Sequence, residues 1–162
     1  MITANKSDQN VRIEYTFDAP RAQVFEAWIN PNYLKNWYAP DGCTISIKAC
    51  DPVEGGSFHY CIENPDYGSC WTIGEFLKVN KPEKIVQRIV MSDEKGKPVD
   101  PKALGMDPDW PQETLLTLTF EDLGGRTKMI LEQEVNESLA KKTGAYPSWI
   151  QMFDRLNETF TA

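Results

Sequence analysis

Apolar and polar residues alternate with period two from Val11 to Phe17, as in a strand with one buried face. Asp18-Ala19-Pro20 then offers a capping side chain and a first-turn proline, and Val24, Phe25 and Trp28 follow at helical spacing to about Ile29. Asn30-Pro31 repeats the start signal, with Tyr33, Leu34 and Trp37 behind it, and Pro40-Asp41-Gly42 ends this second short helix. From Thr44 the pattern changes to strands separated by Gly, Pro and Asn turns, which reads as an antiparallel meander. Six strands are expected, over 44–49, 57–63, 70–79, 84–91, 113–121 and 126–135. Between the fourth and fifth of these lie 92–112, a stretch with four prolines that exceeds the ~12–15 residues of a plain loop. It is expected to be a lid or a packed flap. Trp149, Phe153, Leu156 and Phe160 then fall at i, i+4, i+7 and i+11, one aromatic stripe on a long closing helix.

That stripe must cover something apolar, and one face of the sheet is the only large candidate. The fold class is therefore α+β: strand, helix, helix, six antiparallel strands and a C-terminal helix gripped by a curved sheet. A bent sheet cannot touch a straight helix along its whole length, so a hollow remains unless bulky side chains fill it. Parity puts Met129, Leu131, Gln133 and Val135 on the inner face, with Leu116, Leu118 and Phe120, and with Phe58, Tyr60 and Ile62. Trp71 and Ile73 are assigned to the same face, although Thr72, Gly74 and Phe76 support the opposite parity. Indole and phenol groups such as Trp37, Tyr38, Trp71 and Trp149 combine an apolar body with a polar tip, which suits a pocket wall as well as a core.

Composition narrows the function classes. The 162 residues carry 24 Asp plus Glu against 17 Lys plus Arg, a net charge of −7 that repels phosphate backbones, so no nucleic-acid partner is expected. The 41% hydrophobic and 25% charged content is that of a folded globular protein. No run approaches the ~18 apolar residues of a membrane span, and residues 1–10 are polar without a secretory core. The expectations are a flexible leader over 1–10, one domain over 11–162, no membrane insertion and a cytoplasmic location. Cys43, Cys50, Cys61 and Cys70 are too sparse for a disulfide scaffold.

The chain has one histidine, His59, placed by parity on the outer face, and no Gly-x-Ser-x-Gly elbow. No paired spacing joins His59 and the cysteines into a metal site, and no glycine pattern cradles a nucleotide, so neither metal nor cofactor is expected. Glu75, Arg88 and Gln133 interrupt apolar strands. Glu75 and Arg88 pair across the wet outer face or, if inside, supply an acid or base to the hollow.

Several short motifs carry a family resemblance. They are Asp18-Ala19-Pro20-x3-Val24-Phe25-x-Ala27-Trp28, Pro31-x2-Leu34-x2-Trp37-Tyr38-Ala39-Pro40, Gly55-Gly56-Ser57-Phe58, Gly74-Glu75-Phe76 with Pro82-Glu83-Lys84-Ile85, and Asp109-Trp110-Pro111-Gln112-Glu113-Thr114. In this order, with the closing Trp149-x3-Phe153-x2-Leu156, the chain resembles the START-like (SRPBCC) superfamily from about Val11 to Phe160. Within it, the chain is similar to stand-alone bacterial proteins described as activator of heat-shock-protein ATPase homologues. The resemblance implies a helix-grip, birch-pollen-allergen-like fold with a hydrophobic cavity between the sheet and the last helix. The eukaryotic namesake carries an additional chaperone-binding domain, for which this length has no room.

The expected function is binding or carriage of a small hydrophobic molecule, lipid-like or aromatic, without catalysis. The expected lining is Trp37, Tyr38, Phe58, Tyr60, Trp71, Leu118, Met129, Leu131, Trp149, Met152 and Phe153, with Gln133 as a hydrogen-bonding anchor. Two alternatives stand beside it. One is a polyketide cyclase or dehydrase-like enzyme using Tyr60, Glu75 or Arg88, and the other a chaperone-related interaction module with an apolar convex face. The outward Lys128, Glu132 and Glu134 argue against the latter, and a homodimer stays open as a partner arrangement.

Overall fold

The computed structural model describes residues 9–66 and 68–161, so most of the leader expected over residues 1–10 lies outside the described residues. The element order is β1 (Asn10–Phe17), α1 (Arg21–Ile29), α2 (Pro31–Trp37), β2 (Thr44–Cys50), β3 (Ser57–Asn64), β4 (Gly68–Asn80), β5 (Lys84–Ser92), β6 (Glu113–Asp122), β7 (Thr127–Asn136), α3 (Glu137–Thr143) and α4 (Ala145–Thr161). The seven strands form one antiparallel sheet in the order β1-β7-β6-β5-β4-β3-β2. The α+β helix-grip expectation is met, and the strand limits match those read from periodicity to within two residues.

Register fixes which residues face the helices. Leu118 opposes Leu131 and Phe120 opposes Met129, while Ile13 opposes Leu131; all five are buried against the helices. β4 bulges at Leu77, which leaves that side chain 44% exposed and returns Val79 to the inner side opposite Ile85. Gly74 is required by crowding. A Cβ there would lie 2.1 Å from Phe58 Cζ and 2.4 Å from the Arg88 carbonyl oxygen, and the latter, being backbone of the adjacent strand, cannot swing away.

The helices are held by different devices. Asn30 caps α2 by accepting from the Asn32 N–H at 2.9 Å. Asp18 does not cap α1, contrary to expectation, because Pro20 occupies that position. Its carboxylate instead accepts from Arg126 Nε at 3.0 Å and Asn157 Nδ2 at 3.1 Å, tying the β1–α1 corner to the β6–β7 turn and to α4. The Asn157 and Arg126 hydrogen bonds hold this carboxyl below its usual range. α3 was not expected, yet its signals are present: Asn136 accepts from the Leu139 N–H, Lys141 and Lys142 occupy the last turn, and Gly144 follows at φ +88°.

α4 lays Trp149, Met152, Phe153 and Leu156 on the sheet. Burial of Phe153 and Leu156 is worth roughly 1.5–3 kcal/mol each. Its polar side is also engaged: Arg155 Nη1 donates to the Ala39 carbonyl, and Gln151 Oε1 accepts from the Asp41 N–H, which fastens α4 to the end of α2.

Gly74→Ala is expected to destabilise the protein by about 3 kcal/mol, the upper end of ordinary overpacking, because backbone has to move. Urea unfolding measures it, and a loss below about 1 kcal/mol would show that β4 and β5 separate without resistance.

Candidate functional site

The concave face is filled at one end. There Phe25 of α1 meets Phe120 of β6 edge-on at 5.3 Å, Trp28 meets Trp37 at 4.8 Å, and Phe17 packs on Phe153 and Phe160 at 6.1 Å. At the other end, where β4 and β6 begin and β3, β5 and β7 finish, the start of α4 touches the sheet through Trp149 but does not fill the space, and a cavity of ≈ 290 Å³ remains. Its sheet wall is Phe58, Ile62, Cys70, Thr72, Ile89, Met91, Thr114 and Gln133. Tyr38 and Pro40 close it beyond α2, Ala145, Ser148, Trp149 and Met152 from α4, and Met106, Trp110, Pro111 and Gln112 from the 92–112 flap.

Five of the expected lining residues meet there: Tyr38, Phe58, Gln133, Trp149 and Met152. Six others belong to the closed core. Leu118, Met129 and Leu131 share the inner face but lie further along their strands, under α1 and α4, with no exposed surface. Phe153 sits one helical turn beyond Trp149 and is likewise sealed. Trp37 turns its indole N–H to the Ala27 carbonyl at 3.0 Å, a bond that locks α2 onto α1. Tyr60 stacks on Phe58 at 4.6 Å and places its hydroxyl 3.4 Å from Cys50 Sγ.

Trp71 is on the opposite face of the sheet. It opposes Cys61 in the register, one position from the pair Ile62 and Cys70, so Cys70 and Thr72 point inward and Trp71 points out. On that convex face its ring tilts against His59 at 4.9 Å under the Lys48 ammonium. Glu75 and Arg88 are also outside, paired at 2.7 Å, with Glu113 at 3.7 Å from the same guanidinium. The acid or base that the cyclase alternative required is therefore remote from the cavity. The convex face also carries Glu14, Lys128 and Glu121 in ion pairs.

The residues that sequence reasoning missed include Thr114 at the start of β6, Pro40 beyond α2 and Ala145 and Ser148 of α4, and two larger groups besides. Ile89 and Met91 share one parity of β5, and Thr72 and Cys70 follow once Trp71 is turned outward, so strand alternation could have found them. Met106, Trp110, Pro111 and Gln112 come from the flap, which has no period to read. The flap is pinned by Val99 N–H to the Met91 carbonyl at 3.0 Å and Met91 N–H to the Gln112 carbonyl at 3.1 Å. Its outer edge is held by Asp107, whose carboxylate lies 3.3 Å from Lys142 of α3. The Asp109 N–H, and then Lys142, keep the Asp107 carboxyl below its usual range. A more open recess at this edge shares Met106, Trp110, Ala145 and Ser148 with the cavity.

The lining is mainly apolar, and its buried polar groups include a short relay. Trp149 Nε1–H donates to Gln133 Oε1 at 3.1 Å, and Gln133 Nε2–H donates to Thr114 Oγ1 at 3.4 Å. Gln133 and Thr114 are 6% and 5% exposed. Burial raises the pKa of the Tyr38 phenol, which therefore stays neutral at physiological pH. Among the described residues, no Asp, Glu, Lys, Arg or His lines the cavity, and no group of three or more His, Cys, Asp or Glu is arranged to hold a metal ion.

Residues 18–161 match the family model described as Activator of Hsp90 ATPase homolog 1-like protein. The fold is that of a solution structure from Arthrobacter aurescens (20% identity, TM-score 0.78, covering 97% of this chain and 88% of that one). A Staphylococcus epidermidis protein (24% identity, TM-score 0.77, 97% and 92% covered) and protein Ms6760 from Mycobacterium smegmatis (18%, 0.77, 99% and 95%) share it. No curated protein matches the chain at a significant level. The chain belongs to the Activator of Hsp90 ATPase homolog 1-like family, and so to the START-like superfamily, whose fold commonly binds hydrophobic ligands. Among the described residues, no helix is long and apolar enough to cross a membrane.

Gln133→Leu keeps the size of the side chain but strands the Trp149 N–H in an apolar site. A loss of roughly 1–3 kcal/mol is expected in urea unfolding. An unchanged midpoint would mean that the relay contributes nothing to the fold.

Proposed function

We propose that this member of the family binds a small, mainly apolar molecule, lipid-like or aromatic, in the cavity between the sheet and α4, and carries or sequesters it without chemical change. The observation that supports this reading is the ≈ 290 Å³ hollow itself, walled by Phe58, Ile89, Met91, Trp110, Trp149 and Met152. Interiors are otherwise close-packed, and an apolar void forfeits the dispersion contacts that a guest would restore. The volume lies at the small end of the ~300–1,000 Å³ typical of ligand sites, which favours a compact guest over a two-chain lipid. Entry runs past Met106 and Trp110, under the Asp107–Lys142 contact, where the flap meets the α3–α4 corner.

The test is a thermal-shift screen against a broad panel of hydrophobic compounds, joined to mass spectrometry of denatured extracts of the purified protein. A ligand at a hundred times its Kd should raise Tm by about 5 to 10 °C for a chain of this size. Thr72→Phe, which pushes a ring into the cavity, is expected to abolish that shift. Leu131→Trp, by contrast, overfills the closed core and should cost about 1–3 kcal/mol with or without ligand. A panel in which nothing stabilises the protein and no molecule co-purifies would defeat the reading.

A further inference from the structure

The unspent hydrogen-bonding capacity of the cavity narrows the chemistry of its guest. Gln133 has two N–H donors and a carbonyl oxygen, and Trp149, which can only donate, fixes which way the amide points. Nε2 therefore faces Thr114, and one of its two N–H groups is used on Thr114 Oγ1. Because Oγ1 accepts that bond, the Thr114 hydroxyl hydrogen is still to be placed, as is the second Gln133 N–H. The Tyr38 hydroxyl, on a side chain that lines the cavity, is not sealed off and also makes no hydrogen bond to another described residue, so it is open to a guest. These three neutral donors, with the Thr72 hydroxyl opposite them on β4, thus border one largely apolar cavity. Donors left unpaired in a buried site are costlier and rarer than acceptors with a spare lone pair.

What would satisfy them is an oxygen acceptor. An ionised one does not fit, because burying a carboxylate without a cation costs several kcal/mol or more. Among the described residues no cation lines the cavity, and Lys142, in the recess at the mouth, is engaged by Asp107. We infer that the guest is uncharged and carries a carbonyl-type oxygen, as an amide, ketone, ester or lactone does, received by Tyr38, Thr114 and Gln133 with its apolar remainder against Phe58, Ile89 and Met91. This rests on the cavity-binding reading above and adds to it the selection of neutral guests over acids of the same shape.

Isothermal titration of the full chain with octanamide, methyl octanoate and octanoate at neutral pH tests it. The two neutral compounds are expected to bind at least roughly tenfold more tightly than octanoate, and the gap should narrow as acid protonates octanoate toward its neutral form. Tyr38→Phe and Thr114→Val, each close to isosteric, should weaken octanamide by roughly three- to tenfold and leave octanoate little changed. Octanoate binding as tightly as octanamide, or losing affinity specifically in Lys142→Met, would overturn the inference while leaving the cavity as a binding site, since the acid would then sit head-outward. Failure of all three compounds and of the neutral dye Nile red to bind would instead strike at the cavity-binding reading itself.

Discussion

A straight helix on a bowed seven-stranded sheet can be in full contact over only part of its length. Everything distinctive about this protein follows from where that contact is made. Phe153, Leu156 and Phe160 of α4 meet β1 and the edge of α1 through Phe17 and Trp28, and there the packing is closed. Trp149 and Met152, near the other end of the helix, border the hollow instead. It is the space that partial contact leaves.

The two ends of the hollow are finished by different kinds of force. At its floor the constraint is a donor count: Trp149 has a buried N–H that needs an acceptor, and Gln133 is the one neutral residue of β7 that reaches it. That bond orients the amide and aims the remaining donors of Gln133 and Thr114. At the mouth the contacts are backbone hydrogen bonds of the flap and one ion pair between a largely covered Asp107 and an exposed Lys142, reached by solvent and salt from the lysine side. A rigid floor and a lightly fastened rim are what a site needs if it is to hold one shape and still admit a guest.

Charge is distributed in the same spirit. The convex face carries the ion pairs of Arg88, Glu75 and Glu113 and of Lys128, Glu14 and Glu121, so the sheet presents a wet, charged outer side and an uncharged inner one. Glu75 and Arg88 looked in the strand pattern like interruptions that could enter the cavity. The register makes them neighbours across β4 and β5 on the outside, where water shares the cost of their charge.

Sequence alone determined the architecture, because its signals are local. Period two from Val11 to Phe17 and the i, i+4, i+7 stripe of α4 report burial residue by residue, and the ordered motifs from Asp18 to Leu156 identify the family. Alternation also assigns a side of the sheet, and it did so for Phe58, Leu118, Met129, Leu131 and Gln133. It carries no information on position along the strand, which is why Leu118 and Leu131 joined Gln133 in one expected lining although only Gln133 borders the cavity. For Trp71 both parities fitted the composition of β4, and only pairing of Cys61 with Trp71 and of Ile62 with Cys70 turned the indole outward. Trp110 and Met106 had no period to betray them. Their role exists only because an aperiodic flap folds back over strands distant in sequence, and such long-range closure is a property of tertiary packing, not of any local run of residues.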